Sequence, residues 1–580
     1  MSQRKGVVLV LILIAAAMVV SLAALLFLAA LAGGGEPTVA RNSTFVLRVG
    51  GPLEEIEPRS LAGQLFAPPP TVRGVVESLR RAKTDARVTA VVLAPLVPEP
   101  LWAKAQEIRD AVIDFKSSGK PIIGYLEYGG EQEFYLASAC DQVFLMPAST
   151  LDLTGLASYE LFLRGAFDKI GAEPDMLHIG EFKTAANTYM ERTYTAAHRE
   201  MAESLNADLF GQIVAGIAES RDKSEDDVRA LFDHGPFLAE DALAAGLVDG
   251  LAYQDQIHEL AGLPGDPDRT VAFDTYRHTG RSGFGGGPRV AVIYAVGIIA
   301  SGEGGTDALG GGVVGADTLG RYLRRAREDR SIRAIVLRID SPGGSAIASD
   351  VIWREMERTR SAKPVIASMS DLAASGGYYI ALPAHAIVAQ PGTLTGSIGV
   401  VAGKVALGGT LDRLGLNLEP VSTGRYAQID SPVRPFTPEE REKVAEMMRA
   451  TYETFVRKTA SARNTTPEAI DAVAQGRVWT GRQAQARGLV DELGGLTRAI
   501  ALAKARAGID PDTEVSLVIY PPRRSFFEAL ANPFGGSAAG LGLPWALGRG
   551  ERQALGVLAA PLRLFRRGEP LALMPNVFLR

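Results

Sequence analysis

The chain has 580 residues, of which 47% are hydrophobic and 22% are charged, and its formal net charge is −5. This length exceeds what one hydrophobic core usually organises, and the composition is that of a globular protein rather than a disordered one. The negative charge argues against nucleic acid as a partner. The single cysteine, Cys140, excludes an internal disulfide and a cysteine-based zinc site, and the six histidines lack metal-ligand spacing. We therefore expect no metal and no cofactor.

The first 35 residues carry the features of a transmembrane anchor. Arg4 and Lys5 precede an uncharged run over residues 6–35, which is longer than the roughly 20 residues that cross a bilayer as a helix. A cleavable signal peptide is the alternative, with residues 30–32 (Ala-Leu-Ala) as its cleavage site, but its apolar core should span only about 7–15 residues. With the basic residues inside, the remaining chain is expected on the periplasmic side of a bacterial inner membrane.

Residues 36–278 form a first predicted unit in which apolar strands alternate with helical periodicity. Strands are predicted over 44–49, 87–93 and 121–125, with a helix over 101–115. Such alternation is typical of a parallel α/β arrangement. The glycine-rich residues 279–288 then predict a flexible linker.

The same pattern begins again after the linker, which makes residues 289–521 a second predicted unit. Its first three strands are predicted over 289–294, 332–339 and 363–367, and its last over 514–520. Residues 334–337 (Ala-Ile-Val-Leu) repeat residues 90–93 (Ala-Val-Val-Leu), and further matches follow at the same offset. The sequence therefore predicts an internal duplication of a whole α/β domain.

Residues 522–580 form a C-terminal extension that is rich in glycine, proline and leucine. Arg563, Arg566 and Arg567 make a basic cluster near its end, which would suit contact with anionic lipid. The alternative is a loosely packed extension that covers the second domain.

Ser375 lies in the stretch that indicates chemistry most directly. An apolar run at 364–367 leads through small residues to Ser375 and two glycines, and a helical run follows, so the pattern predicts a strand, a tight turn and a helix. A serine at such a turn has an accessible hydroxyl beside the free N–H groups of a helix start. A nucleophile needs both of these features. The alternative is a helix N-cap serine.

Histidine, the usual base for a serine nucleophile, finds no support in this chain. His385 lies ten residues after Ser375 on the predicted helix, roughly 15 Å away at the rise of an α-helix. The other five histidines lie in the first unit or at its end, without a convincing aspartate partner. The sequence offers no argument for a Ser-His-Asp triad.

Three stretches resemble one known family: residues 338–344 (Arg-Ile-Asp-Ser-Pro-Gly-Gly), 370–380 and 392–399 (Gly-Thr-Leu-Thr-Gly-Ser-Ile-Gly). They look like those of the signal peptide peptidase A family (SppA), the S49 family of membrane-anchored serine proteases. The anchor, the duplication and the length resemble the long form of that family. The resemblance implies two tandem ClpP/crotonase-like α/β domains behind one transmembrane helix. It also implies a homotetramer whose substrates are released signal peptides and other hydrophobic peptides.

The base in this family is a lysine in a Gly-x-Tyr/Phe-Lys context, which is found here at residues 180–183 (Gly-Glu-Phe-Lys). The duplication supports Lys183 as this base, because Ser375 corresponds to Glu131 of the first unit and Lys183 to Ala427 of the second. Each unit thus keeps one half of a site. A lysine considered alone would be interpreted as a surface residue. As a base it needs a pKa lowered by about three units, which burial in apolar surroundings provides.

The resemblance implies roles for four further residues. Ser397 would orient Lys183, although an ordinary turn serine is an equal alternative, and backbone N–H groups of Gly343, Gly344 and Gly376 would form the oxyanion hole. The expected reaction is acyl transfer to Ser375, with an extended peptide bound along a strand edge. Acyl-CoA hydration or thioester hydrolysis on the same fold is one alternative, and a non-catalytic scaffold at the membrane surface is another. The sequence leaves open whether Lys183 and Ser375 meet within one chain or between chains.

Overall fold

A computed structural model describes residues 15–16, 18–21, 38–57, 69–98, 101–279, 287–306, 311–522, 570–574 and 578–579. Most of the predicted anchor (1–35), most of the predicted linker (279–288) and residues 523–569 of the extension lie outside this set. Within it, no helix combines the length and the apolar composition that crossing a membrane requires.

The first half of the chain alternates between strands and helices as predicted. Its strands are β1 (Ser43–Gly51), β2 (Val88–Pro98), β3 (Ile122–Leu126), β4 (Gln142–Leu145), β5 (Thr150–Leu151), β6 (Ser158–Tyr159), β7 (Glu173–Ile179), β8 (Phe237–Leu238), β9 (Gly250–Leu251) and β10 (Thr270–Ala272). Its α-helices are α1 (Val72–Thr84), α2 (Trp102–Lys116), α3 (Glu131–Ala137), α4 (Arg164–Ile170), α5 (Asn187–Met190), α6 (Ala196–Ser220), α7 (Glu225–His234), α8 (Ala239–Ala244), α9 (Ile257–Leu260) and α10 (Phe273–Tyr276).

Six of these strands form a wholly parallel sheet in the order β10-β1-β2-β3-β4-β9. Every residue of β3 is buried, as is usual for a strand whose sheet is covered on both faces. Helices α1 and α2 cover one face through Leu79, Ile108 and Phe115, which share a core cluster with side chains of β1 and β2. The predicted parallel α/β arrangement of this half is confirmed.

The second half repeats this organisation. Its strands are β11 (Arg289–Val296), β12 (Ile298–Ala300), β13 (Gly305–Thr306), β14 (Gly312–Gly315), β15 (Ile332–Ser341), β16 (Gly343–Ser345), β17 (Val365–Ala374), β18 (Ala386–Ala389), β19 (Leu394–Gly396), β20 (Val400–Ala406), β21 (Val478–Thr480), β22 (Glu492–Leu493), β23 (Ser516–Tyr520), β24 (Leu571–Leu573) and β25 (Phe578–Leu579). Its helices are α11 (Ala316–Glu328), α12 (Ala346–Arg360), α13 (Gly376–Ala381), α14 (Gly408–Arg413), α15 (Pro438–Ala462), α16 (Pro467–Asp471), α17 (Gly481–Ala486) and α18 (Leu496–Arg506).

The main sheet of the second half runs β21-β19-β17-β15-β11-β23, with β18 paired to β17 and β22 to β18. Its central strands β11, β15, β17 and β18 are parallel and follow each other as β1, β2, β3 and β4 do in the first sheet. Near-continuous apolar runs explain the burial of these strands; residues 334–337, for example, are all buried. The two halves thus share a strand order as well as a sequence pattern.

A third sheet joins the two halves of the chain, in the order β13-β14-β12-β16-β24-β20-β7. Strand β7 belongs by sequence to the first predicted unit, yet it pairs antiparallel with β20 over seven residues, from Glu173 opposite Ala406 to Ile179 opposite Val400. Strand β24, from the C-terminal extension, lies between β16 and β20. At this sheet the extension is therefore a paired strand rather than a loose cover.

A buried cluster of charges also connects the two halves. The Arg338 guanidinium contacts the carboxylates of Glu55 and Glu107 at 2.9 and 2.7 Å. Lys104 Nζ lies 2.8 Å from Asp340 and 3.6 Å from Asp371. Burial alone would raise the pKa of Glu55, but the charges of Arg338 and Lys104 outweigh it and lower that pKa to about 2. The glutamate is therefore ionised at neutral pH.

Candidate active site

Ser375 lies at the turn between β17 and α13, as the sequence predicts. Its side chain is 0% exposed, and its backbone has φ +54° and ψ −111°, a conformation that residues other than glycine rarely adopt. Its N–H donates to the carbonyl oxygen of Gly396 at 2.8 Å, and its side chain makes no capping hydrogen bond. The hydroxyl is thus not used as an N-cap, and the strained backbone is of the kind found at functional sites.

The two glycines after Ser375 allow α13 to pack closely against the end of β15 and against α12. A Cβ on Gly376 would lie 2.6 Å from Ser349 Oγ, and one on Gly377 would lie 2.7 Å from the carbonyl oxygen of Ser341. Both distances are shorter than a side-chain carbon tolerates, so larger residues would push the helix away. The Ser-Gly-Gly pattern is therefore a packing requirement as well as a turn signal.

Lys183 lies four residues after the end of β7 and reaches Ser375 within the same chain. Its Nζ is 2.8 Å from Ser375 Oγ, 2.8 Å from the carbonyl oxygen of Ser397 and 2.9 Å from Ser397 Oγ. A neutral amine carries two N–H groups and a lone pair. Donation of the two N–H groups to Ser397 leaves the lone pair directed at the Ser375 hydroxyl.

The surroundings of Lys183 favour this neutral form. The side chain is 0% exposed, and burial lowers its pKa well below the ordinary value for lysine. Its three polar contacts go to serine oxygens, which carry no charge that would stabilise an ammonium group.

A segment of the second half holds Lys183 in place, and sequence reasoning did not identify it. The N–H of Phe182 donates to the carbonyl oxygen of Gln475 at 2.7 Å. A Cβ on Gly476 would lie 2.5 Å from Lys183 Cα, and one on Gly399 would lie 3.0 Å from Lys183 Cδ. The pair Gln475-Gly476, with φ values of +48° and +78°, was visible in the sequence only as an ordinary turn signal.

Ser397 is buried at 0% exposure and has φ +50°, and its N–H donates to the carbonyl oxygen of Arg477 at 2.8 Å. Both its carbonyl and its hydroxyl oxygen face Lys183 Nζ. The structure thus brings Ser397, Lys183 and Ser375 together in one hydrogen-bonded group.

The glycines predicted for the oxyanion hole lie at the start of β16 and at the start of α13. Gly343 and Gly344 have φ values of +102° and +153°, and a Cβ on Gly343 would lie 2.8 Å from the N of Gly376. The N–H of Gly343 donates to Ser341 Oγ at 3.2 Å. Gly343 therefore lies against Gly376, with the Gly343 N–H directed at its own turn.

Asp340 braces the loop that carries these glycines. One of its carboxylate oxygens accepts from the N–H of Leu372 at 3.1 Å, and the other lies 2.8 Å from Lys104 Nζ. These contacts connect the end of β15 with β17 and α2.

The histidines have other partners. His385 Nδ1 accepts from the N–H of Val365 at 3.1 Å, and the His198 ring lies 3.6 Å from the Glu160 carboxylate. The side-chain partner of Ser375 Oγ within the described residues is Lys183.

Comparisons with known proteins find relatives over most of the chain. The model of "Peptidase family S49" matches residues 114–262 and 357–510. A protein named "Serine protease SPPA, chloroplastic" from Arabidopsis thaliana is 36% identical over 455 residues, covering 76% of this chain and 66% of that protein. A "Protease 4" from Salmonella typhi is 34% identical over 445 residues, covering 74% of this chain and 71% of that protein.

Among solved structures, a ClpP1 mutant from Listeria monocytogenes matches 36% of this chain and 94% of its own, at 16% identity and a TM-score of 0.24. The family model covers both halves of the chain, and the curated relatives align over about three quarters of it. The chain belongs to peptidase family S49.

Proposed function

We propose that this protein is a serine endopeptidase in which Ser375 is the nucleophile and Lys183 the general base. The observation that carries the proposal is the buried 2.8 Å contact between Lys183 Nζ and Ser375 Oγ. Neutral Lys183 takes the hydroxyl proton while Ser375 Oγ attacks the peptide carbonyl carbon, forming a tetrahedral intermediate. The amine leaving group then departs with a proton from Lys183, and water hydrolyses the acyl-enzyme.

The other site residues have supporting roles in this proposal. Ser397 orients the amine of Lys183. N–H groups of Gly376, Gly344 and Gly343 stabilise the oxyanion, and removing one such donor typically costs about 3–4 kcal/mol in the transition state. Gly343 fulfils this role only if its N–H leaves Ser341 when substrate binds.

Substrate, location and assembly are proposed from the sequence. The uncharged N-terminal run anchors the enzyme in a bacterial inner membrane, with both halves on the periplasmic side. The substrates are signal peptides released from exported proteins, together with other hydrophobic peptides, and the assembly is a homotetramer. An anchored protease suits substrates that partition into the same membrane.

The catalytic assignment is tested by Ser375→Ala and Lys183→Met in the full chain, assayed with a fluorogenic signal-peptide substrate. Loss of the base should lower kcat by about 10²–10⁴-fold, and loss of the nucleophile should lower it at least as much. Matched controls are Ser361→Ala and Lys169→Met, which change exposed residues and should leave the rate unchanged. Full activity in either site variant would overturn the assignment.

A β-lactone probe gives a second readout that distinguishes a catalyst from a scaffold. Mass spectrometry should find the acyl group on Ser375 in the unmodified protein and no labelling there in Lys183→Met. Hydrolysis of acyl-CoA without any cleavage of peptides would instead support the thioesterase alternative.

A further inference from the structure

Phe182, the residue before the proposed base, is held by a side chain of the second half. The guanidinium carbon of Arg477 lies 4.5 Å from the centre of the Phe182 ring and 4.6 Å from the centre of the Trp479 ring. A cation over an aromatic face is attracted by the ring, and more strongly where water is excluded. The Arg477 side chain is 17% exposed and Trp479 is 6% exposed, so this stacking takes place mostly out of solvent.

A carboxylate of the first half anchors the same guanidinium. Glu200, on α6, accepts a hydrogen bond from Arg477 Nη1 at 2.6 Å. The Glu200 side chain is 59% exposed, and an ion pair with an exposed partner contributes little stability by itself. Its effect is on geometry, because a planar guanidinium with one anchored nitrogen has a restricted orientation over the two rings.

The remaining neighbours of Phe182 are apolar and adjoin the nucleophile. The Phe182 ring packs against a buried cluster that includes Met201 and Ala374, and Ala374 is the residue before Ser375. The ring thus has the arginine and this cluster as its supports. Because Lys183 is the next residue in the chain, a shift of Phe182 would move the backbone from which the proposed base extends.

The backbone of Arg477 supports a second neighbour of the lysine. Its carbonyl oxygen accepts from the N–H of Ser397, and its own N–H donates to the Ala474 carbonyl oxygen, both at 2.8 Å. Ser397 in turn contacts Lys183 Nζ with two oxygens. A change of the Arg477 side chain leaves these backbone bonds available, so the contribution of the side chain can be measured separately.

We propose that Arg477 is a positioning residue for the proposed base, and that its side chain, anchored by Glu200, holds Phe182 so that Lys183 Nζ stays directed at Ser375 Oγ. This inference rests on the proposed peptidase function. Phe182 and Glu200 belong to the first half of the chain and Arg477 to the second. The contact therefore fixes the two halves to each other at the point where they share the catalytic pair.

The first test replaces the arginine in the full chain. Arg477→Met removes the charge and keeps an unbranched apolar side chain, and kcat for the fluorogenic signal-peptide substrate should fall about 10- to 100-fold. KM should be unchanged, because the substitution redirects the lysine rather than the peptide. The matched control is Arg487→Met, since the Arg487 guanidinium carbon lies 3.7 Å from the centre of the same Trp479 ring. Equal kcat values for the two variants would overturn the proposal.

The pH profile and a conservative variant separate positioning from a general loss of stability. In Arg477→Met the acid limb of kcat/KM should move to higher pH, because a displaced Phe182 ring admits water beside the amine and hydration raises the pKa of Lys183. Arg477→Lys keeps the charge without the planar fork and should retain several times the kcat of Arg477→Met. An unshifted limb, with a loss of kcat that matches the unfolded fraction, would contradict the proposal.

A double-mutant cycle tests whether the arginine acts through the phenylalanine. Phe182→Leu removes the ring and should lower kcat by itself. Addition of Arg477→Met to that variant should then lower kcat less than about twofold further, because the contact is already lost. Independent effects of the two substitutions would contradict the route through Phe182.

A charge reversal on α6 keeps the test valid if Arg477→Met fails to fold. Glu200→Lys places a cation where the guanidinium is anchored and should lower kcat about threefold or more. Glu203→Lys makes the same change at a side chain of the same helix that is 70% exposed, and its kcat should match that of the unmodified protein. Equal kcat values for Glu200→Lys and Glu203→Lys would overturn the proposal.

Hydrogen exchange followed by mass spectrometry gives a readout that does not depend on catalysis. Peptides that cover residues 180–186 should exchange about tenfold faster in Arg477→Met than in Arg487→Met, because the bond from the Phe182 N–H to the Gln475 carbonyl opens more often. Faster exchange in a protein that cleaves no peptide would support the role of Arg477 and contradict the peptidase assignment. Cleavage with equal kcat and equal exchange in both variants would overturn the role of Arg477 and leave the peptidase assignment standing.

Discussion

The chemistry proposed for this protein depends on a single amine that burial keeps uncharged. Lys183 combines 0% exposure with contacts to serine oxygens, so protonation would place a charge that no carboxylate balances among its contacts in the described part of the chain. A base of this kind has a cost in stability, because the unfolded chain is free to protonate the same lysine.

This cost predicts how the stability of the protein depends on pH. Between the lowered pKa of folded Lys183 and about 10.4 in the unfolded chain, the unfolded state binds one more proton, so the free energy of unfolding rises with pH. Urea unfolding at pH 7, 8 and 9 should show unmodified protein gaining up to about 1.4 kcal/mol per pH unit relative to Lys183→Met. Parallel pH profiles of the free energy of unfolding would mean that the folded lysine is charged.

The activity should depend on the same group. In the same pH range, kcat/KM should fall as the pH drops through the pKa of folded Lys183.

Ser397 should act as a positioning residue for Lys183. Ser397→Ala removes the 2.9 Å hydroxyl contact but keeps the carbonyl contact, so we expect a loss of about 1 kcal/mol, or five- to tenfold in kcat. KM should be unchanged. The acid limb of the pH profile of kcat/KM should shift, since the amine of Lys183 loses one polar contact. Ser361→Ala is the control. If the acid limb does not shift in Ser397→Ala, Ser397 stabilises its own turn and does not position Lys183.

The residues of the site were predictable from the sequence to different degrees. Ser375 stands in a motif with a local backbone requirement, and Lys183 became interpretable because the duplicated copy lacks it. Gln475 and Gly476 were not identified, since their role comes from contact with a loop nearly three hundred positions away in the chain. Local sequence patterns predict turns, but they do not predict which distant residues a turn contacts.

Strand β7 is the element that delivers the lysine to the serine. It lies in the first half of the chain but completes a sheet of the second half by seven consecutive pairings with β20. The approach of the two strands is close at Gly403, where a Cβ would lie 2.5 Å from the Asp175 carbonyl oxygen and 2.6 Å from Met176 Cα. Because Lys183 lies four residues after the end of β7, its position depends on the close contact between β7 and β20.

Gly403→Ala should therefore damage both stability and catalysis. The added methyl meets backbone atoms that cannot rotate away, so we expect a loss of about 1–3 kcal/mol in the free energy of unfolding. A fall in kcat that exceeds the unfolded fraction would show that Lys183 has moved from Ser375. Gly165→Ala adds a methyl where nothing lies within 4 Å and should leave both quantities unchanged, so equal effects of the two substitutions would contradict this account.

At the scale of elements, the long strands were predictable and the short ones that build the site were not. Strands β1, β2, β11 and β15 follow apolar runs, and each ends two to five residues later than predicted. Strand β24 has three residues within a segment rich in glycine, proline and leucine, and its partners lie 170 to 230 positions earlier, from Val401 opposite Leu571 to Gly343 opposite Leu573. Its pairing depends on the position that it takes between β16 and β20, which local strand propensity does not predict.

At the scale of the whole molecule, a buried charge cluster connects the two halves in addition to the third sheet. Removal of one partner from such a cluster leaves uncompensated charge, which typically costs about 3–5 kcal/mol. Arg338→Met would leave Glu55 and Glu107 without the guanidinium that contacts both of them.

We expect the loss of stability in Arg338→Met to depend on pH in a defined direction. In unmodified protein the pKa of Glu55 is lowered from 4.5 to about 2, so its stabilising contribution is complete above 4.5 and is lost as the pH falls toward 2. Without Arg338 the buried Glu55 carboxylate protonates more readily, and the difference in stability between the two proteins should shrink from pH 7 to pH 4. Arg358→Met, at an exposed arginine, should cost less than about 1 kcal/mol at each pH. If the difference in free energy of unfolding between the two proteins stays constant with pH, Arg338 does not stabilise the fold by balancing the charge of the carboxylates that it contacts.

The distance in sequence between Lys183 and Ser375 has a consequence for biosynthesis. The two residues are 192 positions apart, and β7 can find β20 only after residue 406 has been made. Since domains generally fold in the order of their synthesis, a growing chain holds the amine long before it holds the hydroxyl. The proposed catalytic pair therefore cannot form before residue 406 has been translated.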